Sequence, residues 1–136
     1  NEKKEEVLKL VDLDISLLNK FPSQLSGGQI QRIVIAIALS RNIKLLLLDE
    51  PTTALDEENK TNIINLINDL KSRLNILILF VTHDIESIKD ICNEIIILKD
   101  GQVIEKGFTI DVLSTPKEDY TKKLINSTFK NKQFRN

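Results

Sequence analysis

Two short, unbroken apolar runs, Leu45 to Leu48 and Ile76 to Val81, flank a stretch from Glu57 to Leu74 in which Ile63, Leu66, Ile67, Leu70 and Leu74 recur at helical spacing. Runs this short with no polar alternation suit strands buried on both faces of a parallel sheet. Parallel neighbours need a long crossover, and the intervening helix supplies it. Strand, helix, strand therefore predicts a right-handed parallel crossover and an α/β fold.

Upstream, Val7, Leu8, Leu10 and Val11 recur at helical spacing, and a short mixed stretch from Asp12 to Lys20 is closed by Phe21-Pro22. Ser26 stands in the N-cap position of a helix from Gly27 to Arg41, with Ile30, Ile33, Val34, Ile37 and Ala38 on one face, widened by Ile35 and Leu39. Downstream, a short helix is expected over Ile85 to Ile91. Glu94 to Leu98 and Gln102 to Glu105 then flank Lys99-Asp100-Gly101, a strong hairpin signal that predicts an antiparallel edge. Ile110 to Leu113 and Asp119 to Ile125 suit two short helices, and the polar, basic Ser127 to Asn136 is expected to fray.

The chain has 136 residues, 41% of them hydrophobic and 29% charged, enough for one ordinary domain with a packed core. Nineteen basic residues against twenty acidic ones leave no bulk positive field, which argues against a nucleic-acid partner. Cys92 has no second cysteine to pair with, and the lone His83 cannot build a zinc site. No apolar stretch approaches the roughly 18 to 20 residues that span a bilayer, and the mixed-charge start is not that of a signal peptide, so any membrane association is expected through partners only. With no methionine anywhere, the chain reads as trimmed or as a fragment.

Three clusters carry chemistry, each where a strand ends or a helix begins, the places where ligands bind in open α/β sheets. Leu25-Ser26-Gly27-Gly28-Gln29 opens the long helix, where two glycines admit close approach and free N–H groups favour an anion; an ordinary capped helix explains the same residues. Asp49-Glu50 ends the first strand. One carboxylate there can hold a magnesium ion through water while its neighbour orients or deprotonates an attacking water, and an acidic loop is the plainer alternative. Thr82-His83-Asp84 follows the second strand and can present a histidine to a phosphate oxygen or the attacking water, or only to the protein's own core.

Taken in order, Leu25-Ser26-Gly27-Gly28-Gln29, Gln31-Arg32, Leu45 to Pro51, Ala54-Leu55-Asp56 and Thr82-His83-Asp84 resemble the signature motif, Walker B strand, D-loop and switch-histidine loop of the ATP-binding subunit of ABC transporters. The resemblance implies a partial P-loop NTPase-like ABC ATPase domain, with part of the helical subdomain over about residues 1–41, a core over 42–107, and C-terminal helices and tail over 108–136. It implies ATP and Mg2+ as cofactors. Two such domains, in a homo- or heterodimer, would pair head to tail, with Ser26, Gly27, Gly28 and Gln29 of one on the γ-phosphate of ATP lying on the other. Asp49 would hold magnesium, Glu50 would act as general base, His83 would contact the γ-phosphate, and Asp56 would carry the signal between the two sites. Transmembrane permease subunits would be the other partners, at the cytoplasmic face of the cell membrane, docked on the exposed part of the helical subdomain with a contribution from Val7 to Leu18.

This chain departs from the family pattern at Ile37, where an arginine is usual, and at Ile43, where a proline is common; neither bears on phosphate chemistry. A larger departure is that none of its glycines, Gly27, Gly28, Gly101 and Gly107, is followed by Lys-Ser or Lys-Thr, so no phosphate-cradling P-loop is present. The resemblance is therefore to the C-terminal portion of the domain. Such a portion is expected to hydrolyse ATP negligibly alone, and to leave apolar faces such as those of Leu45 to Leu48 incompletely covered.

Gln29 and Ala54-Leu55-Asp56 favour the transporter branch over ABC ATPases of repair, which usually have Glu after the glycines, and of translation, which usually show Asn-His-Leu-Asp. Phe21-Pro22, Thr115-Pro116, Asp119-Tyr120-Thr121 and Leu124 resemble the oligopeptide, dipeptide and nickel importers, although Glu118-Asp119 replaces their usual His-Pro. Energising peptide or nickel import is thus the expected function. The alternatives are a truncated non-catalytic module that pairs with a full-length subunit, or a soluble ABC ATPase.

Overall fold

The structure, a computed structural model, describes residues 2–130. The chain packs as two compact units, one ending at His83 and the other starting at Asp84.

The first unit opens with α1 (Glu2–Leu10), which buries Leu8. Leu8 O accepts the N–H groups of both Val11 and Leu13, at 3.1 and 3.0 Å, and Asp12 between them sits in the left-handed region at φ 54°. Single-turn 3₁₀ helices follow at Ile15–Asn19, capped by the Asp14 carboxylate, and at Pro22–Gln24. Next come α2 (Gly27–Leu39), β1 (Leu45–Asp49), α3 (Glu57–Arg73) and β2 (Leu77–Val81). The expected crossover is present: β1 and β2 pair in parallel, Leu45 opposite Leu77 and Asp49 opposite Val81. On α3 the predicted stripe is the buried one, with Ile63, Leu66, Ile67 and Leu70 all nearly inaccessible.

Two expectations for this unit need correction. Leu45 to Leu48 is buried on one face only, not on both, and shows the incomplete cover expected of a partial domain: Leu46 and Leu48 point inward, whereas Leu45 and Leu47, with Leu77, Leu79 and Val81 of β2, are exposed. Side chains alternate across a strand, so the two faces of this sheet differ in cover. On α2 the inner face is Gly28, Ile35, Ala36 and Leu39, while Ile30, Val34 and Ile37, placed inward from the sequence, lie outside. This helix is apolar nearly all round, so periodicity could not choose its face.

The second unit comprises α4 (Ile85–Ile88), β3 (Glu94–Lys99), β4 (Gln102–Phe108), α5 (Thr109–Ser114) and α6 (Asp119–Lys130). α4 is shorter than expected because Ile88 O accepts the N–H groups of both Ile91 and Cys92, at 3.1 and 3.0 Å, tightening the chain into a turn. The hairpin forms as predicted. Asp100 at φ 51° and Gly101 at φ 76° supply the two left-handed residues that suit a two-residue turn between right-twisted strands. β3 and β4 make a two-stranded sheet of their own, not an edge of the parallel pair. Gly107 is set by packing, since a Cβ there would lie 3.2 Å from Val112 of α5.

The Glu105 carboxylate accepts the N–H groups of Lys117 and Glu118, at 2.9 and 3.2 Å, which anchors the start of α6 and holds that carboxyl below the usual range. α6 then carries Ser127 to Lys130, so these residues are helical and not frayed; residues 131–136 lie outside the described residues. Among the described residues no helix is long and apolar enough to cross a membrane.

Candidate functional site

The paired strands set the first cluster. Because Asp49 is opposite Val81, the residues just past each strand meet, and Glu50 donates its N–H to Val81 O at 2.8 Å. Glu50 lies in the left-handed region at φ 45°, a conformation that costs a non-glycine residue on the order of 1–3 kcal/mol and persists only where neighbours hold it. They do. Its Oε1 accepts the His83 backbone N–H at 3.0 Å and lies 2.7 Å from His83 Nδ1, while Oε2 accepts the Thr53 hydroxyl at 2.7 Å and the Thr82 hydroxyl at 3.4 Å.

His83, then Thr53, hold the Glu50 carboxyl below the ordinary glutamate range, so it is an anion at neutral pH. Nδ1 at 2.7 Å from a carboxylate must carry the proton, which leaves Nε2 as the outward-facing nitrogen of a ring that is 77% exposed. The two oxygens of Glu50 thus already receive four donors, about the capacity of a carboxylate. A water bound to Glu50 would have to displace one, and the His83 ring, 77% exposed, has open space to swing into.

Asp49, one residue earlier, is exposed at the end of β1. Among the described residues no three His, Cys, Asp or Glu side chains cluster as a metal cage. A single carboxylate nevertheless suits magnesium, which commonly takes one or two protein carboxylates and fills its remaining positions with phosphate and water oxygens.

The second cluster is the start of α2. Ser26 Oγ accepts the Gln29 N–H at 3.2 Å and Gln29 Oε1 accepts the Ser26 N–H at 3.0 Å, a reciprocal capping box. The side chains of Ser26 and Gln29 are thereby committed to the cap, while the N–H groups of Gly27 and Gly28, in the first turn, have no acceptor within the helix. Those donors and the helix dipole favour an anion. The glycines have a further cause inside the chain: a Cβ on Gly27 would lie 3.2 Å from Leu55, and one on Gly28 only 2.4 Å from Asn59 Oδ1. So α2 begins directly against the segment after β1, where Asp56 caps α3 by accepting the Asn59 N–H at 2.8 Å.

A cleft of about 270 Å³ opens here, lined among others by Asp12, Ser26, Gln29, Arg32, Asn59 and Asn62. Arg32 is tied across it to Val11 O at 2.7 Å and Asp12 Oδ2 at 3.0 Å. Neither Glu50 nor His83 lines this cleft. The structure therefore brings Glu50 to His83, and Gly27 and Gly28 to Leu55 and Asn59, the residues next to Asp56 and bonded to it.

Thr53, Thr82, Asn59 and Arg32 make contacts to which the motifs gave no role, although Thr82 and Arg32 lie inside the stretches singled out from the sequence. Strand register was the available signal for Thr82, which must face Glu50 once the two strands pair. Thr53 sits one turn beyond Glu50. For Asn59 the signal was Asp56 three residues earlier, the spacing of a helix cap.

Residues 2–53 match the ABC transporter family. The methionine import ATP-binding protein MetN of Lactococcus lactis subsp. cremoris is 41% identical over 128 residues, 94% of this chain and 34% of that protein. MetN of Bacillus subtilis is 43% identical over 120 residues, 88% of this chain and 35% of that protein. The chain spans about a third of the length of these curated relatives. In three dimensions it is similar to the crystal structure of the ADP conformation of an ATP-binding cassette of an ABC transporter, with a TM-score of 0.77 and 27% identity over 90% of this chain and 49% of that one. Relatives, fold and ordered motifs agree: the chain has the α/β fold of part of an ABC transporter's ATP-binding cassette, and its residues 2–53 carry the match to that family.

Proposed function

We propose that this chain is part of the ATPase subunit of an ABC importer, in which Glu50 and His83 act on ATP and Ser26, Gly27, Gly28 and Gln29 act on nucleotide held by a paired subunit. The observation that carries the reading is the 2.7 Å contact between Glu50 and His83 just beyond the carboxyl ends of two parallel strands. Magnesium, when bound, would supply charge neutralisation at the phosphates, and Asp49 would hold it. Glu50, kept ionised by its four donors, takes the proton of the attacking water once His83 turns away, and the freed imidazole is then available to a phosphate oxygen. The Gly27 and Gly28 N–H groups face the partner's terminal phosphate, and Asp56 relays pairing to α3.

By role, we assign residues 1–41 to the helical subdomain, 42–107 to the core and 108–136 to the C-terminal helices and tail. A second ATPase subunit and membrane permease subunits complete the assembly, which places the chain at the cytoplasmic face of a membrane. The exposed Ile15, Leu18 and Phe21 support docking on the helical part.

The relatives' names favour methionine as cargo over the peptides or nickel to which the short tail pattern pointed, because the MetN likeness runs over nine-tenths of the chain. The native protein, reconstituted with its membrane subunits in vesicles, is expected to take up methionine on addition of ATP. Uptake of dipeptides or Ni2+ in its place would restore the other branch, and ATPase activity that copurifies with no membrane subunit would overturn the importer reading.

A further inference from the structure

The two stretches assigned to nucleotide, Ser26–Gln29 and Asp56, are joined within one chain by a residue to which neither motif assigns a role. Asn59 Nδ2 donates to both Asp56 carboxylate oxygens, at 3.1 and 2.9 Å, and its backbone N–H donates to Asp56 Oδ1 at 2.8 Å. With the amide nitrogen fixed on the carboxylate, the amide oxygen is forced to the other side. The flipped amide would set oxygen against carboxylate oxygen, so chemistry settles the orientation. Asn59 Oδ1 and Cγ then cover Gly28, where an added Cβ would meet them at 2.4 and 3.1 Å.

Leu55, on the other flank of Asp56, covers Gly27 in the same way at 3.2 Å. Gly28 is buried, so this contact is a packed one. Arg32, one turn further along α2 and so on the same side of the helix as Gly28, is held to Val11 and Asp12, a second anchor beside the Asn59 contact.

We propose that Asn59 is a positioning residue that couples Asp56 to Gly28, so that displacement of Asp56 when two subunits pair is transmitted to the first-turn N–H groups of α2 in the same chain. It touches no nucleotide itself. The inference rests on the function proposed above, because it matters to turnover only if both stretches serve ATP. Loss of the tie leaves each element folded but lets the start of α2 shift relative to the start of α3, and such shifts tell on turnover far more than on ground-state affinity.

The test is made in the native full-length protein assembled with its membrane subunits, comparing Asn59→Asp and Asn59→Ala with the unaltered protein. Asn59→Asp keeps the shape over Gly28 but removes the amide donor and sets like charges together; Asn59→Ala removes both contacts. Both are expected to lower kcat for ATP about fivefold or more, with KM changed less than about twofold and the melting temperature within about 2 °C. A kcat within twofold of the unaltered protein for Asn59→Asp, in a preparation whose turnover is lost on Glu50→Gln, overturns the inference alone. Turnover that survives Glu50→Gln overturns the functional reading and this inference with it.

Should Asn59→Ala fail to fold, Gly28→Ala decides the contact: it is expected to melt lower alone than when combined with Asn59→Ser, which clears the clash. No recovery in that pair overturns the assignment.

Discussion

Glu50→Gln is expected to lower steady-state ATP turnover of the native protein by about a thousandfold, the middle of the range that loss of a positioned general base produces. The substitution keeps the size of the side chain and can still accept from Thr53 or His83 through its one carbonyl oxygen. It cannot take a proton from water. Two features mark Glu50, and not Asp49, as the base. Glu50 is held in a left-handed conformation by its N–H bond to Val81 O and by four side-chain and backbone donors, whereas Asp49 is exposed at the strand end. ATP affinity is expected to change little, because the lost function belongs to the transition state and not to binding. Equal turnover in the two proteins would remove Glu50 from the chemistry.

The second large effect concerns which face of α2 is the core. Ile35→Ala is expected to cost about 3 kcal/mol of stability, as removal of a fully buried aliphatic side chain does. Ile37→Ala, two residues on, is expected to cost less than about 1 kcal/mol, because its side chain is exposed. The fractional exposures are 1% and 60%. Urea midpoints at constant slope give both numbers. Equal costs at the two positions would mean that the exposed face of α2 is covered in the native assembly, and a large cost at Ile37 alone would restore the face first read from the sequence.

That contrast shows what the sequence makes legible. Elements whose identity follows from strong local signals were read correctly: the two apolar runs, the α3 stripe, the Asp-Gly turn and the Ser26 cap. Choices that depend on what lies across from an element were not. α2 is apolar on nearly every side, so its inner face is chosen by Gly28 and Arg32, one without a side chain and one charged, and neither registers in a hydrophobic pattern. Leu45 to Leu48 gives the same lesson in a strand, because a continuous apolar run states that both faces tolerate burial and does not state that both are buried here.

The site divides in the same way. Motif order singled out Ser26, Asp49, Glu50, Asp56 and His83 as candidates, and strand pairing explains why Glu50 and His83 meet. The saturation of Glu50 by four donors, the left-handed backbone at Glu50 and Asp12, and the Asp56–Asn59–Gly28 tie depend on side-chain geometry, which residue spacing does not encode. The double glycine is instructive. From sequence it reads as room for a phosphate, and in the structure part of that room is taken by Leu55 and Asn59.

The proposed function requires that nucleotide be shared between Ser26–Gln29 of one subunit and the Glu50–His83 pair of another. Its most direct test is the molecular mass of the native ATPase subunit carrying Glu50→Gln, by light scattering, with magnesium and either ATP or ADP. Doubling of the mass with ATP and not with ADP is the predicted result, lost when Gly28→Asp places a charge on the signature turn. A mass that stays at one copy with both nucleotides, or a doubling indifferent to Gly28→Asp, would contradict the account.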